Sequence, residues 1–497
     1  MSRRAPRVVV VGGGVAGLVI ARDLARAGLN VEVLEGSRRL GGVVGPLTVQ
    51  RDPNAVAAGR GRFRTVTVDA GAESFATRSV AVSDLLEELH LTSRVVPPSP
   101  VGAWVAHDAG AAPLPRSGVL GIPTDLAEIE RVAGRAAVRR ARLDRFLPRR
   151  VGTGRAGTSV SLGHLVRARL GQEVLDRLVA PVAGGVHSTD PMLLDVDAVA
   201  PGLRSAVAEH GSLMAAAAAL RAAAPAGAAV AGIRGGMHNL VTALADEIVG
   251  HGGVIRPGAR VDAIERVGGT GRSPWRLTLA DGATLGAAHV VVATDLPAAG
   301  TLLAPLLPSV TIPQPSAGAG VSLVTLVLEH PGLNDAPRGT GVLVAPDAGP
   351  ALGIRAKALT HASAKWDWVR DALPRDHHVV RLSFGRLGDA VDARAASNDA
   401  LVATAIHDVG VLLGVPVARD QVVGSAVVRF PAGLPYAGVG HAARVRAVRA
   451  AAHEQPGLHV AGAWIAGTGL AAVVADARAV ATALAEQLKN GTGHLAD

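Results

Sequence analysis

Apolar and polar positions divide this chain into segments of contrasting period. Val8 to Val11 is an unbroken apolar run that stops at Gly12, Gly13 and Gly14. Ala16 to Ala27 then carries apolar residues at helical spacing, Gly28 ends it, and Val31 to Leu34 is a second apolar run with Glu35 at its end. Strand, helix and strand within about 30 residues is a βαβ unit, which demands a parallel sheet. From Val80 to Val207 the spacing is mainly helical, most clearly over Ser83 to Leu91 and His164 to Val182. Strand-like runs return at Val261 to Val267, Trp275 to Leu279 and His289 to Ala293, and continue at Val321 to Glu329, Gly341 to Ala345 and Val379 to Phe384. Leu458 to Ala463 is a last apolar strand, from which a glycine-containing turn leads to a helix over Val473 to Leu488. Leu213 to Ile233 reads as an alanine-rich helix followed by a turn, and Arg51 to Arg64, with no period, as an exposed loop.

Composition narrows the chemistry. At 497 residues the chain has room for two or three domains. It contains no cysteine, which excludes disulfides, thiolate catalysis, Cys-ligated iron–sulfur clusters and zinc ribbons. With five Phe, five Trp and one Tyr, a flat aromatic ligand would have to be held by aliphatic walls and polar anchors. The net charge of +9 favours anionic partners, but no basic stretch interleaves aromatics, so nucleic acid is not expected. No apolar window reaches the roughly 18 residues of a membrane span. Met1 to Ile20 imitates a secretory signal, with Arg3, Arg4 and Arg7 before an apolar stretch. Cleavage there would remove the glycine motif, so the reading is a mature cytoplasmic start. Arg131, Arg135, Arg139, Arg142, Arg145 and Arg149 recur every three or four residues and predict one basic helix face, either merely solvated or in contact with anionic lipid or a partner.

Gly12-Gly13-Gly14-Val15-Ala16-Gly17 satisfies G-x-G-x-x-G between a strand and a helix. In that context the first glycine makes the turn, the second lets the backbone approach a pyrophosphate, and the third lets helix pack on strand. Glu35 lies 18 residues beyond Gly17, where a ribose diol needs a carboxylate. An acid there disfavours a 2′-phosphate, which leaves an adenosine of the NAD or FAD type. No second such motif appears in strand–helix context, so nicotinamide is not the expected electron partner.

Further along, Glu35 to Gly42 reads E-x-x-x-R-x-G-G and resembles the extended signature of the flavin amine oxidase and porphyrinogen oxidase superfamily. His289 to Asp295 and Leu458 to Ala463 are similar to its later flavin-domain strands. Asp69 to Arg78, Leu178 to Pro191, His210 to Leu213, Gly235 to Met237, Lys365-Trp366, Leu434 to His441 and Gly462 to Leu470 resemble, in order, blocks of the bacterial porphyrinogen oxidases. There are departures: Val43 and Val44 stand where a basic residue is common, Thr468 where Val is usual and Ala471 where Pro is frequent. The resemblance implies FAD contacts at Gly12, Gly13, Gly14, Val15, Ala16, Gly17, Glu35, Gly36, Arg39, Gly42, Gly71, Ala72, Glu73, Ser74, Val261, Thr468, Gly469 and Leu470.

It also implies the fold class, α/β with α+β: a discontinuous Rossmann-like FAD-binding domain (1–79, 211–300 and 441–497), a mainly helical domain (80–210) and an inserted mixed-sheet substrate domain (301–440). The activity it implies is oxidation of coproporphyrinogen III by FAD and O2 in haem synthesis, with protoporphyrinogen as the alternative substrate. The flavin would do the chemistry, and no general base is assigned. Arg78, Lys365 beside Trp366 on a strand, and Tyr436 are the candidate substrate contacts. His187 and His441 are considered as proton carriers, although such histidines are more often structural. The basic face would then meet lipid or a downstream haem-synthesis enzyme. Competing expectations are an amine oxidase, disfavoured by the few aromatics available for a cage, a carotenoid desaturase, and a flavin-binding porphyrin carrier without turnover.

Overall fold

The computed structural model describes residues 6–77, 79–115, 117–155, 157–223, 229–267, 273–313, 320–385, 395–431 and 437–493. Arg7–Val11 (β1), Val15–Arg26 (α1) and Asn30–Glu35 (β2) form the expected unit, with β1 and β2 parallel from Arg7 against Asn30 to Val11 against Leu34. Val254–Pro257 (β3), His289–Val292 (β4) and Leu458–Val460 (β5) complete a five-stranded parallel sheet in the order β3-β2-β1-β4-β5. Both faces are covered, which is why β1 is apolar without alternation. Val8 and Val10 share a core with α1, the helix His238–Gly250 and the C-terminal helix Leu470–Gly493 (α2). Val9 and Val11 share another with a three-stranded antiparallel sheet and the helix Leu296–Leu303.

The second sheet has seven strands, in the order Val422–Phe430, Val321–Glu329, His377–Phe384, Ala358–His361, Gly341–Val344, Trp104–His107 and Gly110–Pro113. It is mixed: Gly341–Val344 runs parallel to Trp104–His107 and the other pairs are antiparallel. Its last two strands come from the stretch expected to be mainly helical. They are four residues each, too short to register against a helical period. The segment 51–64 also departs from expectation. It links the hairpin strands Pro46–Gln50 and Thr65–Asp69, and Asp52 caps a short helix, Pro53–Ala57, by accepting from Asn54 N at 2.8 Å. Ala55 and Phe63 are buried, and Gly61 N donates to Glu329 Oε2 at 2.9 Å, so the segment packs onto the sheet.

A layer of helices closes the third side around its own core, which includes Ile129, Leu165, Leu178, Leu203 and Leu213. The helix expected over His164 to Val182 is interrupted at Gly171, whose φ of 97° only glycine adopts readily. Downstream of Leu213–Ala222 the chain enters a strand, Val230–Ile233, where a turn was expected. The basic stripe is also corrected. Gly134, at φ 83° and ψ 174°, breaks Leu126–Ala141, and Arg142–Phe146 continues as a 3₁₀ turn, so the six arginines do not share one helix face. No helix among the described residues is long and apolar enough to cross a membrane.

One buried pair gives the second sheet a pH dependence. His361 Nε2 and His378 Nδ1 lie 3.2 Å apart, and both residues are buried. Burial, with the charge of its neighbour, pushes His361 down to about 3. Burial pushes His378 down to about 4, against an upward pull from Asp376. Both are therefore neutral when folded, whereas unfolded histidine titrates near 6.5. Stability is full above about pH 6.5 and falls as the pH drops toward 4, by up to about 1.4 kcal/mol per pH unit for each histidine. Urea midpoints of wild type and His378→Phe between pH 7 and 5 check this. The variant's curve should be the flatter, and parallel curves would refute the assignment.

Candidate active site

The carboxyl ends of β1, β2, β4 and β5 converge on the glycine turn, the position at which open parallel sheets bind ligands. Gly12, at φ 109°, receives its shape from its neighbours: a Cβ there would lie 2.7 Å from Ala293 O at the end of β4. A Cβ on Gly17 would strike Gly12 O, so this glycine lets α1 descend onto the turn. Gly14 differs. It has an ordinary φ of −71°, caps α1 without a side-chain hydrogen bond, and has nothing within 4 Å of where a Cβ would stand. The fold does not require glycine there; the bare backbone leaves room for a group that approaches the first turn of α1, where amides and the helix dipole favour an anion.

Glu35, at the end of β2, directs its carboxylate across this turn. Oε2 accepts from Gly13 N and Oε1 from Ser37 N, each at 2.7 Å. Ionised carboxylates offer about four acceptor positions, so both oxygens retain capacity for a diol. Gly36 sits against the Cβ of Arg260, which brings Val261, at the start of its own strand, to the same end of the sheet. Gly41 N donates to Gly13 O at 2.8 Å, and Gly42 lies against Gly14. Arg39, expected as a cofactor contact, donates to Leu40 O, Val44 O and Gly42 O at 3.2, 3.2 and 2.6 Å. Its fork shapes the loop around the turn.

The next loop is held from the other sheet. Ala72 N donates to Val43 O at 3.1 Å, which ties the Gly71–Ser74 segment to the Arg39 loop. Arg381, on His377–Phe384, donates through Nη1 to Asp69 O (3.0 Å) and Gly71 O (2.9 Å) and through Nη2 to Glu73 Oε2 (2.8 Å). Lys365 Nζ takes Glu73 Oε1 at 2.6 Å. Burial alone would raise the Glu73 carboxyl; the two cations outweigh it and hold the group below its ordinary value. Burial raises Asp69, partly offset by the His238 ring, whose Nδ1 lies 3.8 Å from Asp69 Oδ1. Lys365 ends the short helix Ala362–Lys365, not a strand as expected, and its charge faces Glu73. Two residues read separately, one for cofactor and one for substrate, thus meet each other. Arg381 was not foreseen; its only signal was a lone cation within the apolar run Val379 to Phe384.

At the C-terminal approach, Gly469 also has nothing within 4 Å of a Cβ position, and Leu470 begins α2. Val15, Ala471 and Val474 belong to one core, against which Ala72 and Leu470 also pack, so both helix starts and the Gly71 loop lie around it. Thr468 Oγ1 is 3.3 Å from His187 Nδ1, at the end of the helix Ala180–His187. The following residue, Ser188, takes a left-handed φ of 56° and accepts from buried Lys357 Nζ at 2.7 Å. Thr468, His187 and Lys357 therefore join the C-terminal turn, the helical layer and the second sheet. His441 is held below its ordinary value by burial. Arg78 and Tyr436 lie outside the described residues. No cluster of metal-binding side chains occurs among the described residues.

These features fit a dinucleotide. Two unencumbered glycines stand at helix starts, a carboxylate spans the turn, and two arginines fix the surrounding loops. Comparison with known proteins agrees. The family described as flavin-containing amine oxidoreductase matches residues 15–487. A coproporphyrinogen III oxidase from Mycobacterium leprae is 31% identical over 485 residues, covering 96% of this chain and 98% of the relative. One from Bacillus subtilis is 25% identical over 487 residues, covering 95% and 96%. The crystal structure of a protoporphyrinogen oxidase-like protein from Exiguobacterium sp. 255-15 superposes with a TM-score of 0.79 at 26% identity, covering 97% of this chain and 99% of that one. The family match spans nearly the whole of this chain, whose parallel sheet carries the glycine turn and carboxylate with a mixed sheet beside it, and the chain belongs to the flavin-containing amine oxidoreductases.

Proposed function

We propose that this flavoprotein oxidises coproporphyrinogen III to coproporphyrin III in haem synthesis. The observation that carries the reading is the near end-to-end match, at 31% identity, to a protein of that name. Bound FAD would supply the redox chemistry, removing six electrons from the macrocycle in three rounds and passing each pair to O2 as peroxide. The chain's own part is to hold and orient. In this reading the amides of Gly12 to Gly17 take the pyrophosphate, Glu35 takes the ribose diol, and Gly469 and Leu470 meet the flavin end. Arg39 and Arg381 keep the two intervening loops in register. Arg78 remains the proposed propionate anchor and Tyr436 a proposed substrate contact, while Lys365 acts through Glu73. We place the activity in the cytoplasm.

Protoporphyrinogen is the second reading, favoured by the likeness to the Exiguobacterium structure. Coproporphyrinogen carries four carboxylates and protoporphyrinogen two, so a chain of net charge +9 should favour the former. The test is to purify the protein, record its visible spectrum, and follow porphyrin fluorescence and peroxide under air with each substrate. The expected result is a yellow protein whose kcat/KM is higher for coproporphyrinogen, by a ratio that shrinks as salt screens exposed charge beyond about 8 Å. A preference for protoporphyrinogen at every ionic strength would overturn the substrate and leave the flavin oxidase intact.

A further inference from the structure

The pair Thr468 and His187 stands where the fold does not require it. Thr468 is the side chain between two glycines, Gly467 at φ 107° and Gly469, and a Cβ on either would have nothing within 4 Å. Backbone bonds already hold this turn, from Gly467 N to Ala463 O at 2.9 Å on one side and from Val473 N to Gly469 O at 3.0 Å on the other. Val is the usual residue at this position in the family that the sequence resembles, so the turn does not need the hydroxyl. His187 comes to it from the helical layer. Gly184 lies three residues earlier on the same face of Ala180–His187, and it too has nothing within 4 Å of a Cβ position. The residue after the histidine is fixed from the second sheet. Buried Lys357 Nζ donates to Ser188 Oγ at 2.7 Å and to Gly385 O at 2.9 Å, and so secures a left-handed backbone at Ser188 that a residue other than glycine adopts at a cost. Three elements therefore converge to bring one imidazole nitrogen to 3.3 Å from one hydroxyl, beside backbone left bare in both segments.

We propose that His187 is a positioning residue that turns the Thr468 hydroxyl toward the flavin end of bound FAD and thereby raises the cofactor's reduction potential. This rests on the reading in which Gly469 and Leu470 meet that end. A hydroxyl has one hydrogen and two lone pairs. With the imidazole proton on Nδ1, His187 donates to Thr468 Oγ1, which occupies a lone pair and leaves the hydroxyl hydrogen for a further acceptor. Reduction adds negative charge to the flavin ring system. A donor already aimed at that charge holds the reduced form more tightly than the oxidised one, because hydrogen bonds to ionised groups are about twice as strong as neutral ones. The start of α2 acts in the same sense, since helix N-termini favour anions. Hydrogen bonds in a chain polarise one another, so the histidine strengthens a bond that it does not itself make. Without it the hydroxyl is free to rotate toward a backbone carbonyl, and the bias toward the reduced cofactor is lost.

The experiment is a midpoint-potential titration of the FAD-loaded protein against a reference dye, read from the visible flavin bands, together with titration of apoprotein with oxidised FAD. Thr468→Val keeps the shape of the side chain and removes the hydroxyl. It should lower the ratio of reduced to oxidised cofactor affinity roughly tenfold, a fall of about 30 mV for a two-electron couple, with little change in affinity for oxidised FAD. Thr468→Ser should retain the wild-type potential, and His187→Phe should shift it in the same direction as Thr468→Val. Because both changes act through one hydroxyl, the double variant should fall no further than Thr468→Val alone. Should Thr468→Val lose flavin, His187→Phe against Thr468→Ser is read in its place, with the same expected direction. A yellow Thr468→Val protein at the wild-type potential overturns the proposal and leaves the cofactor reading intact, as does a double variant in which the two shifts add. A wild type that takes up no FAD overturns both.

Discussion

Replacing Asp144 by Ala is expected to destabilise the helical layer by about 3 to 5 kcal/mol, the range for stripping one partner from a buried ion pair. Arg169 is fully buried, and its guanidinium donates to Asp144 Oδ1 at 2.6 Å, Asp144 O at 3.0 Å, Gly211 O at 2.7 Å, and Pro148 O and Val151 O at 3.2 Å. Carbonyls satisfy its hydrogens but leave its charge. Asp144 Oδ2 also accepts from Met214 N at 3.1 Å and Ser212 Oγ at 2.7 Å, so the substitution frees donors at the start of Leu213–Ala222 as well. Urea unfolding followed by far-UV circular dichroism reads the loss. Removing both charges, as Asp144→Leu/Arg169→Met, should cost less than the sum of the single changes, because neither leaves an unpaired ion. A single variant within about 0.5 kcal/mol of wild type would mean that water reaches Arg169.

Glu35→Ala is the second large effect, and it reads on cofactor affinity. A hydrogen bond to a charged group contributes roughly 1.5 to 3 kcal/mol, so loss of the ribose contact should weaken FAD by about tenfold to more than a hundredfold. The structure adds a contribution that spacing alone could not reveal. The same carboxylate accepts from Gly13 N and Ser37 N, so removing it also loosens the turn that presents the pyrophosphate amides. Glu35→Gln keeps one carbonyl oxygen for these donors and should recover part of the affinity. Titrating apoprotein with FAD and following flavin fluorescence separates the three proteins. Unchanged affinity in the Ala variant would remove Glu35 from the ribose.

What could be read from the sequence was what is local. β1, α1 and β2 were legible because an apolar run, a helical period and a glycine turn occupy consecutive residues, and β4 because its apolar run is unbroken. The segment 51–64 was misread although its signal was present: Asp52 followed by Pro53 is a helix start. Gly134 likewise announced the break in the arginine stripe. The helix Asn398–Leu413 and the strand Val422–Phe430 were passed over; the strand's run is interrupted by Gly424, Ser425 and Arg429. In the site, glycines and Glu35 were readable because their roles follow from backbone geometry next to them. The grip of Arg381 and Lys365 on Glu73 spans 308 and 292 residues, and no local pattern encodes a partner so distant.

The route of the chain through the parallel sheet also sets a schedule for biosynthesis. β1, α1 and β2 are made long before α2, yet Leu18, Val19 and Ala21 of α1 share their core with Val474 and Ala477 of α2, which begins 444 residues after α1 ends. At about 5 to 20 residues per second, that interval is roughly 20 to 90 s on the ribosome. Throughout it the apolar side of α1 has no α2 to cover it, and the β1 edge stays open until β4 arrives. Such contacts, distant in sequence, close slowly and leave sticky surface exposed meanwhile. Assembly of the nucleotide cradle thus begins with β1, α1 and β2 and is complete only once α2 has been made, which leaves the emerging chain a long window with that apolar surface uncovered.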